Sequence, residues 1–318
     1  MIFYEDMSRK RKWLLASVLV IAGVIVLGEF ILRYVYGFAK APLYYESDVY
    51  EYMFCPSQSG KRFGNKYYFN SYGMRSEEVD SSKVIVLGLG DSVLFGGVLI
   101  DQDSTAAYVF SRLTGMQMLG ICVGSWGPDN CAAYLRQYGM FGAKAICLLV
   151  SSHDAYDNMD FIPVVGKHVS YPMKQYKSAW GDLIVRYVLP RISAGMSKPK
   201  KLDPDATVVK NEGITKNGVV FNPGFAELKQ MADSIQIPLV VFLHPDIHEL
   251  KQGAYNKQGC EIIQWCEQNH VLCIKELENG ISEACYRDVI HTNSMGAQYE
   301  GELMAEYISE LLLAKNDR

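Results

Sequence analysis

The 318-residue chain has eight cysteines, at positions 55, 122, 131, 147, 260, 266, 273 and 285, and no two form a C-x-x-C pair. Zinc-ribbon and thioredoxin-type redox readings therefore have no support. Cys122 and Cys147 sit in apolar runs and read as core residues. No repeat at solenoid periods is present. The glycine-rich stretch "IVLGLGDSVLFGG" (85–97) lacks what a phosphate loop needs. Val93 stands where G-x-G-x-x-G requires its third glycine, and no lysine follows Gly96 or Gly97 as in a P-loop. Leu94 likewise replaces the last glycine of a lipase-type G-x-S-x-G elbow. Positive charge is scarce in the body of the chain. The formal net charge is −4, yet residues 1–40 hold six Lys/Arg against three Asp/Glu, so the remainder is more acidic than the whole. An acidic body argues against a nucleic-acid binder.

The basic residues are placed where a membrane segment would want them. Arg9-Lys10-Arg11-Lys12 precedes the uncharged run "WLLASVLVIAGVIVLG" (13–28). Sixteen helical residues reach only about 24 Å, short of a hydrocarbon core of about 30 Å, so the helix is expected to continue through Tyr36. Glu29 and Arg33 are then one turn apart and can pair, with Tyr34 and Tyr36 at an interface. The positive-inside rule places the N-terminus in the cytoplasm and the main domain outside, periplasmic or extracellular. The alternatives are a signal peptide cleaved at Ala39-Lys40-Ala41 and a buried soluble helix. The expected organisation is a cytoplasmic basic segment (1–12), a transmembrane anchor (13–36), a tyrosine-rich irregular lead-in (37–82) and a main domain (83–318).

Within 83–318, strand-like and helix-like pieces alternate. Strands are expected at 83–88, 116–123, 145–150, 239–243 and 271–274, and helices at 104–113, 129–138, 225–234, 256–269 and 294–314. An insertion over 155–222, rich in Pro, Gly and Lys, interrupts them. The alternation implies an α/β fold, a three-layer αβα sandwich on a parallel, flavodoxin-like sheet.

Gly90-Asp91-Ser92 then ends the first strand, where α/β folds place their ligands. Ser92 reads as a nucleophile or as a helix-capping serine. A nucleophile needs a base held by a carboxylate. His168 and His270 read as surface residues. His244 and His248 are four apart, but Pro245 disfavours a helical metal pair. His291, three residues after Asp288 and just before the last helix, reads as a base or as a solvated loop histidine.

Gly90-Asp91-Ser92 after the first strand, with Asp288-x-x-His291 before the last helix, resembles the SGNH/GDSL hydrolase family. Gly124 in "ICVGSWGPDN" occupies the position of the family's second block. "FNSYGMRSEE" and "SWGPDNCAAYL" look like a membrane-anchored branch similar to alginate-type polysaccharide O-acetyltransferases. The resemblance spans about residues 65–313. It implies Ser92 as nucleophile, His291 as general base and then acid, Asp288 as its orienting carboxylate, and the N–H groups of Ser92 and Gly124 as an oxyanion hole. Asp91 is most simply a loop-holding residue. The family's third block, G-x-N-D, is Ser151-Ser152-His153-Asp154 here. His153 therefore stands for the oxyanion asparagine, as a donor or as a structural histidine. The implied function is acyl, in particular acetyl, ester chemistry on a cell-surface or secreted polysaccharide, as O-acetyltransferase or O-acetylesterase. The implied partners are a glycan or acetyl-ester substrate, the membrane and a membrane acyl-donor protein, with no cofactor, metal or nucleic acid. Two further readings are a non-catalytic glycan-binding or assembly component and a lipid-ester hydrolase.

Overall fold

The computed structural model describes residues 2–196, 214, 216 and 218–316. They divide into two compact units. The smaller comprises Met1–Ala41, Lys61–Gly64 and Lys174–Lys201, and the larger the rest.

In the smaller unit, helix α1 (Ile2–Phe30) runs into a π-helical turn, Ile31–Val35. Its stretch Arg11–Val35 is 25 residues long, reaches a mean hydropathy of 2.6 over 18 residues and is unburied there, so it is long and apolar enough to cross a membrane. Glu29 and Arg33 pair as expected, at 2.5 and 3.0 Å.

The lead-in departs from the expectation. The stretch expected to be irregular contains β1 (Tyr44–Ser47) paired antiparallel with β2 (Glu51–Phe54), then a second two-stranded pair, β3 (Gln58–Arg62) and β4 (Asn65–Phe69). None of the four strands strictly alternates apolar and polar residues, so the period-2 signal is missing. Their aromatics hold them in place: the Phe54 ring lies 4.4 Å from Tyr44, 4.1 Å from Phe69 and 4.8 Å from Phe95.

The central sheet follows the expected alternation. In chain order come β5 (Ile85–Gly90), α2 (Ser92–Phe95), α3 (Ala106–Thr114), β6 (Gln117–Cys122), α4 (Pro128–Tyr138) and β7 (Ala145–Ser151). A helical stretch in the smaller unit, α5 (Ala179–Leu183) and α6 (Leu189–Met196), precedes α7 (Gly224–Ser234) and β8 (Leu239–His244). Then come α8 (Ile247–Gln252), α9 (Lys257–Gln268), β9 (Leu272–Lys275) and α10 (Ser294–Asn316). The central part of the expected insertion, including most of "MSKPKKLDPD", lies outside the described residues.

The five strands are all parallel in the order β6-β5-β7-β8-β9, the flavodoxin-like order. Residues of β5, β6, β7 and β8 are buried throughout, as strands covered on both faces must be. Right-handed crossovers put α3 and α4 on opposite faces, because β6 lies to one side of β5 and β7 to the other. Accordingly α3 packs on α10, and α4 on α7. Chain direction reverses beside β5, so a crevice opens past the carboxyl ends of β5, β6 and β7.

Candidate active site

The glycines of the first motif serve close packing. A Cβ on Gly90 would come within 2.7 Å of the Leu149 carbonyl on β7 and 3.2 Å of Leu94, so α2 could not sit against the strand. Asp91 is the N-cap of α2, its carboxylate accepting the Val93 N–H at 2.8 Å. Ser92 opens the helix, where a backbone N–H has no intrahelical acceptor. The loop beyond α2 is pinned by Arg75, from the "FNSYGMRSEE" stretch. Its buried guanidinium donates to the carbonyls of Phe95, Gly97 and Ile100 at 2.6–2.7 Å.

Gly124 follows β6 and lies beside Ser92: a Cβ there would stand 3.8 Å from the Ser92 Cβ. Its carbonyl accepts the hydroxyls of Tyr52 at 3.1 Å and Tyr171 at 3.0 Å. Ser125, next in sequence, has φ +59°. Among the described residues the Gly124 N–H has no acceptor. The two tyrosines thus hold the carbonyl on one side and leave the N–H free. Burial pushes both phenols up, Tyr171 to about 12, so they remain neutral donors.

His153 lies in a 3-10 turn after β7 and meets three carboxylates. Its Nε2 is 3.7 Å from Asp91 Oδ2 and 4.0 Å from both Asp154 Oδ1 and Asp157 Oδ2. Its side chain is 38% exposed. Burial alone would lower the imidazole; the surrounding carboxylates, Asp154 first, outweigh it and raise the ring to about 10. For Asp91 burial is likewise outweighed, here by His153 above all, and its carboxyl is lowered. Burial pushes Asp154 well up and Asp157 to about 6. The Ser92 hydroxyl donates to the same Asp91 Oδ2, at 3.4 Å. His153 and Ser92 are therefore brought to one carboxylate oxygen.

Asp288 and His291 form the expected pair. His291 Nδ1 lies 3.0 and 2.9 Å from the two Asp288 oxygens, and Asp288 Oδ1 also accepts the backbone N–H groups of Ile290 and His291. Burial alone would raise the Asp288 carboxyl, but these bonds hold it well below the usual range. The neighbouring Arg287 donates to the Gly96 carbonyl at 3.2 Å, docking this loop on the turn after α2. Among the described residues there is no hydrogen bond between Ser92 and His291. Ser92 Oγ faces Asp91, and His291 Nε2 has no partner.

No protein-family model matches the sequence, and no curated protein matches it. Solved structures do. The chain is similar to a protein described as lipolytic and of the G-D-S-L family from Desulfitobacterium hafniense DCB-2. The identity is 10%, with 70% of this chain and 98% of that chain covered, at a TM-score of 0.40. It is similar to the psychrotrophic esterase EstA from Pseudoalteromonas sp. (10% identity, 72% and 98% covered, TM-score 0.39). A third is a carbohydrate esterase family 2 enzyme with a carbohydrate-binding domain from Corynascus thermopiles (12% identity, 79% and 72% covered, TM-score 0.38). Scores of this size carry no argument, and the weight falls on strand order and site geometry.

Several supporting roles were not anticipated in the sequence. His244, at the end of β8, is fully buried, while His248 is exposed on α8, so the two do not form a pair. His244 Nδ1 bonds Glu276 at 2.7 Å, and its Nε2 bonds the Ile290 carbonyl at 2.8 Å, between Asp288 and His291. Burial would lower this imidazole, but Glu276 and Glu300 raise it to about 9. Glu51, with φ +69°, accepts from Lys216, Asn130 and the N–H groups of Asp160 and Phe161. Tyr52 and Tyr171 carried only one signal, the abundance of tyrosine in the lead-in and the insertion. Among the described residues two groups have spacing compatible with a metal ion, Asp91-His153-Asp154 and His244-Glu276-Glu300. In the second, both histidine nitrogens are already hydrogen-bonded.

Proposed function

We propose that the chain performs serine-dependent acyl chemistry on an ester, with Ser92 as nucleophile and Asp288-His291 as its base system. The observation that carries this reading is the convergence of four loops at the carboxyl edge of one sheet. Ser92 lies beside Gly124, whose N–H is free, and shares Asp91 Oδ2 with His153, while Arg287 docks the loop of the doubly bonded Asp288–His291 pair on the turn after α2. The reading requires Ser92 to turn from Asp91 toward His291. Catalytic hydrogen bonds are often loose before substrate binds. Ser92 Oγ then attacks the acyl carbon and its proton passes to His291 Nε2. The oxyanion is held by the N–H groups of Ser92 and Gly124 and by the His153 N–H. Collapse releases the alcohol, which takes the proton from His291. Water or a sugar hydroxyl next attacks the acyl-enzyme, giving hydrolysis or transfer.

The substrate class we favour is an acetyl ester of a cell-surface or secreted polysaccharide, with a membrane acyl-donor protein as partner in the transferase case. The N-terminal helix and the sequence resemblance support it. We place the N-terminus in the cytoplasm and the main domain outside on the Arg9–Lys12 cluster. A non-catalytic glycan-binding role is the second reading, favoured by the Ser92–Asp91 hydrogen bond and the missing third-block asparagine. Full-length protein in detergent, assayed on p-nitrophenyl acetate and labelled with a fluorophosphonate, decides between them. Turnover and labelling lost in Ser92→Ala are expected. Equal rates and no labelling of the wild type would overturn the catalytic reading.

A further inference from the structure

The helical stretch 179–196 carries an apolar stripe that the described residues leave about half exposed. It consists of α5, a π-helical turn over Ile184–Val188, and α6. Pro190 lacks the N–H that would bond back into the preceding turn, and the widened turn directly precedes it. Ile184, Val185, Val188, Leu189 and Ile192 are between 38% and 54% exposed. Their positions, i, i+1, i+4, i+5 and i+8, make one face. The opposite side is fastened. Asp182 accepts Arg62 at 2.9 Å and the Ala39 N–H at 2.7 Å, and the Tyr187 hydroxyl accepts Arg62 at 2.9 Å.

The level at which this helix begins is set by α1. Trp180 Nε1 donates to the Ile25 carbonyl at 3.0 Å, and a Cβ on Gly28 would collide with the Trp180 ring. Glu29 accepts the N–H of Ala179 at 2.8 Å and of Trp180 at 3.2 Å, besides its pair with Arg33. The first turn of 179–196 is thus tied to residues 25–29, inside the apolar span Arg11–Val35 and not beyond its end. From Gly28 to Val35 the helix rises about 10 Å. That depth is where tryptophan concentrates in a bilayer and where amphipathic helices lie, about 5–10 Å into the headgroup and acyl boundary. The tie also accounts for a carboxylate inside an apolar helix. Glu29 is satisfied by two backbone N–H groups at a helix start and by Arg33.

We infer that residues 179–196 form an interfacial helix whose Ile184–Val185–Val188–Leu189–Ile192 face is embedded in the bilayer leaflet that holds the C-terminal end of the span. The chain would then contact lipid twice. This rests on α1 being a membrane anchor, and the experiment separates the two. Full-length protein in a Cys260→Ser background, which removes the exposed native thiol, is reconstituted in phosphatidylcholine–phosphatidylglycerol vesicles. An environment-sensitive dye is attached in turn at Leu189→Cys, Ile192→Cys, Leu27→Cys in the span and Lys251→Cys on the surface. Quenching by acyl-chain nitroxide lipid and by aqueous iodide is measured. Lipid quenching at 189 and 192 close to that at 27 and several-fold above that at 251 is expected. Lipid quenching at 27 but not at 189 and 192 leaves the anchor standing and overturns the inference. Shielding of 189 and 192 from both quenchers means a protein covers the face, which also overturns it. No lipid quenching at 27 removes the anchor, and the inference with it.

Discussion

Replacing His153 by alanine separates two contributions that meet at one atom. The imidazole Nε2 lies 3.7 Å from Asp91 Oδ2, the oxygen to which Ser92 Oγ also donates at 3.4 Å. If His153 donates to the oxyanion, its loss removes one of three donors. That costs roughly a hundred- to a thousand-fold in kcat, or about 2.7–4 kcal/mol in the barrier. Removing the cation also leaves the buried Asp91 with the Val93 N–H and the Ser92 hydroxyl alone. A buried acceptor short of a partner costs about 1–3 kcal/mol in stability, and the 38% exposure of the His153 side chain puts this case at the low end. His153→Asn divides the two. An amide N–H can restore part of kcat, but it brings no charge and leaves stability low. The pH profile adds a third check. The carboxylates raise His153 from 6.5 to about 10, so its stabilising charge is fully present below 6.5 and lost as pH rises through about 10. The wild type should show a basic limb near there that His153→Asn lacks. The assays are p-nitrophenyl acetate turnover and thermal melting of the full chain. His153→Ala with wild-type kcat and melting temperature would refute the reasoning. A fall in kcat that Asn does not relieve would reduce His153 to a positioning residue for Asp91.

Asp288→Asn keeps the shape of the loop but removes the charge opposite His291 Nδ1, and kcat should fall by up to about ten-thousand-fold, read by steady-state kinetics. The Asp288 carboxyl is lowered in the fold, so its stabilisation is present above its unfolded value near 3.8 and lost as pH falls through the folded one. Acid melting curves should show that loss in the wild type and not in the variant. His244→Gln breaks a fully buried pair with Glu276 and frees the Ile290 carbonyl. We expect about 3–5 kcal/mol of destabilisation by denaturant titration, together with lower turnover. His244 rises to about 9 in the fold, so the wild type should lose stability between about pH 6.5 and 9, and the variant should not.

The sheet was legible because its strands are continuous apolar runs, and burial on both faces leaves no other reading once helices alternate with them. The strand expected at 83–88 is Ile85–Gly90, a two-residue shift that matters. It moves Gly90 from the following loop into the strand, where its missing side chain admits α2. The lead-in was misread for a physical reason. Its hairpins are held by aromatic packing between segments far apart in sequence, as Phe54 is held by Phe95, and no local periodicity records such contacts.

The site divides along the same line. Asp288 and His291 are three residues apart, so one loop brings them together and spacing reveals them. His153 was visible only as a departure from a motif, because its chemistry depends on Asp91 from another strand's end and on Asp157 from beyond its own turn. A histidine near 6.5 would be a weak donor, only about a quarter charged at neutral pH. Ringed by three carboxylates it stays an imidazolium beside Ser92, and a cation that persists to about pH 10 can oppose charge on a tetrahedral oxyanion more strongly than a neutral amide. Burial presses Asp154 and Asp157 toward their neutral forms and leaves Asp91 as the carboxylate lowered beside the cation. On the proposed reading, the histidine in the asparagine's place is a change of donor. It also ties the donor's strength to the three acids that hold it.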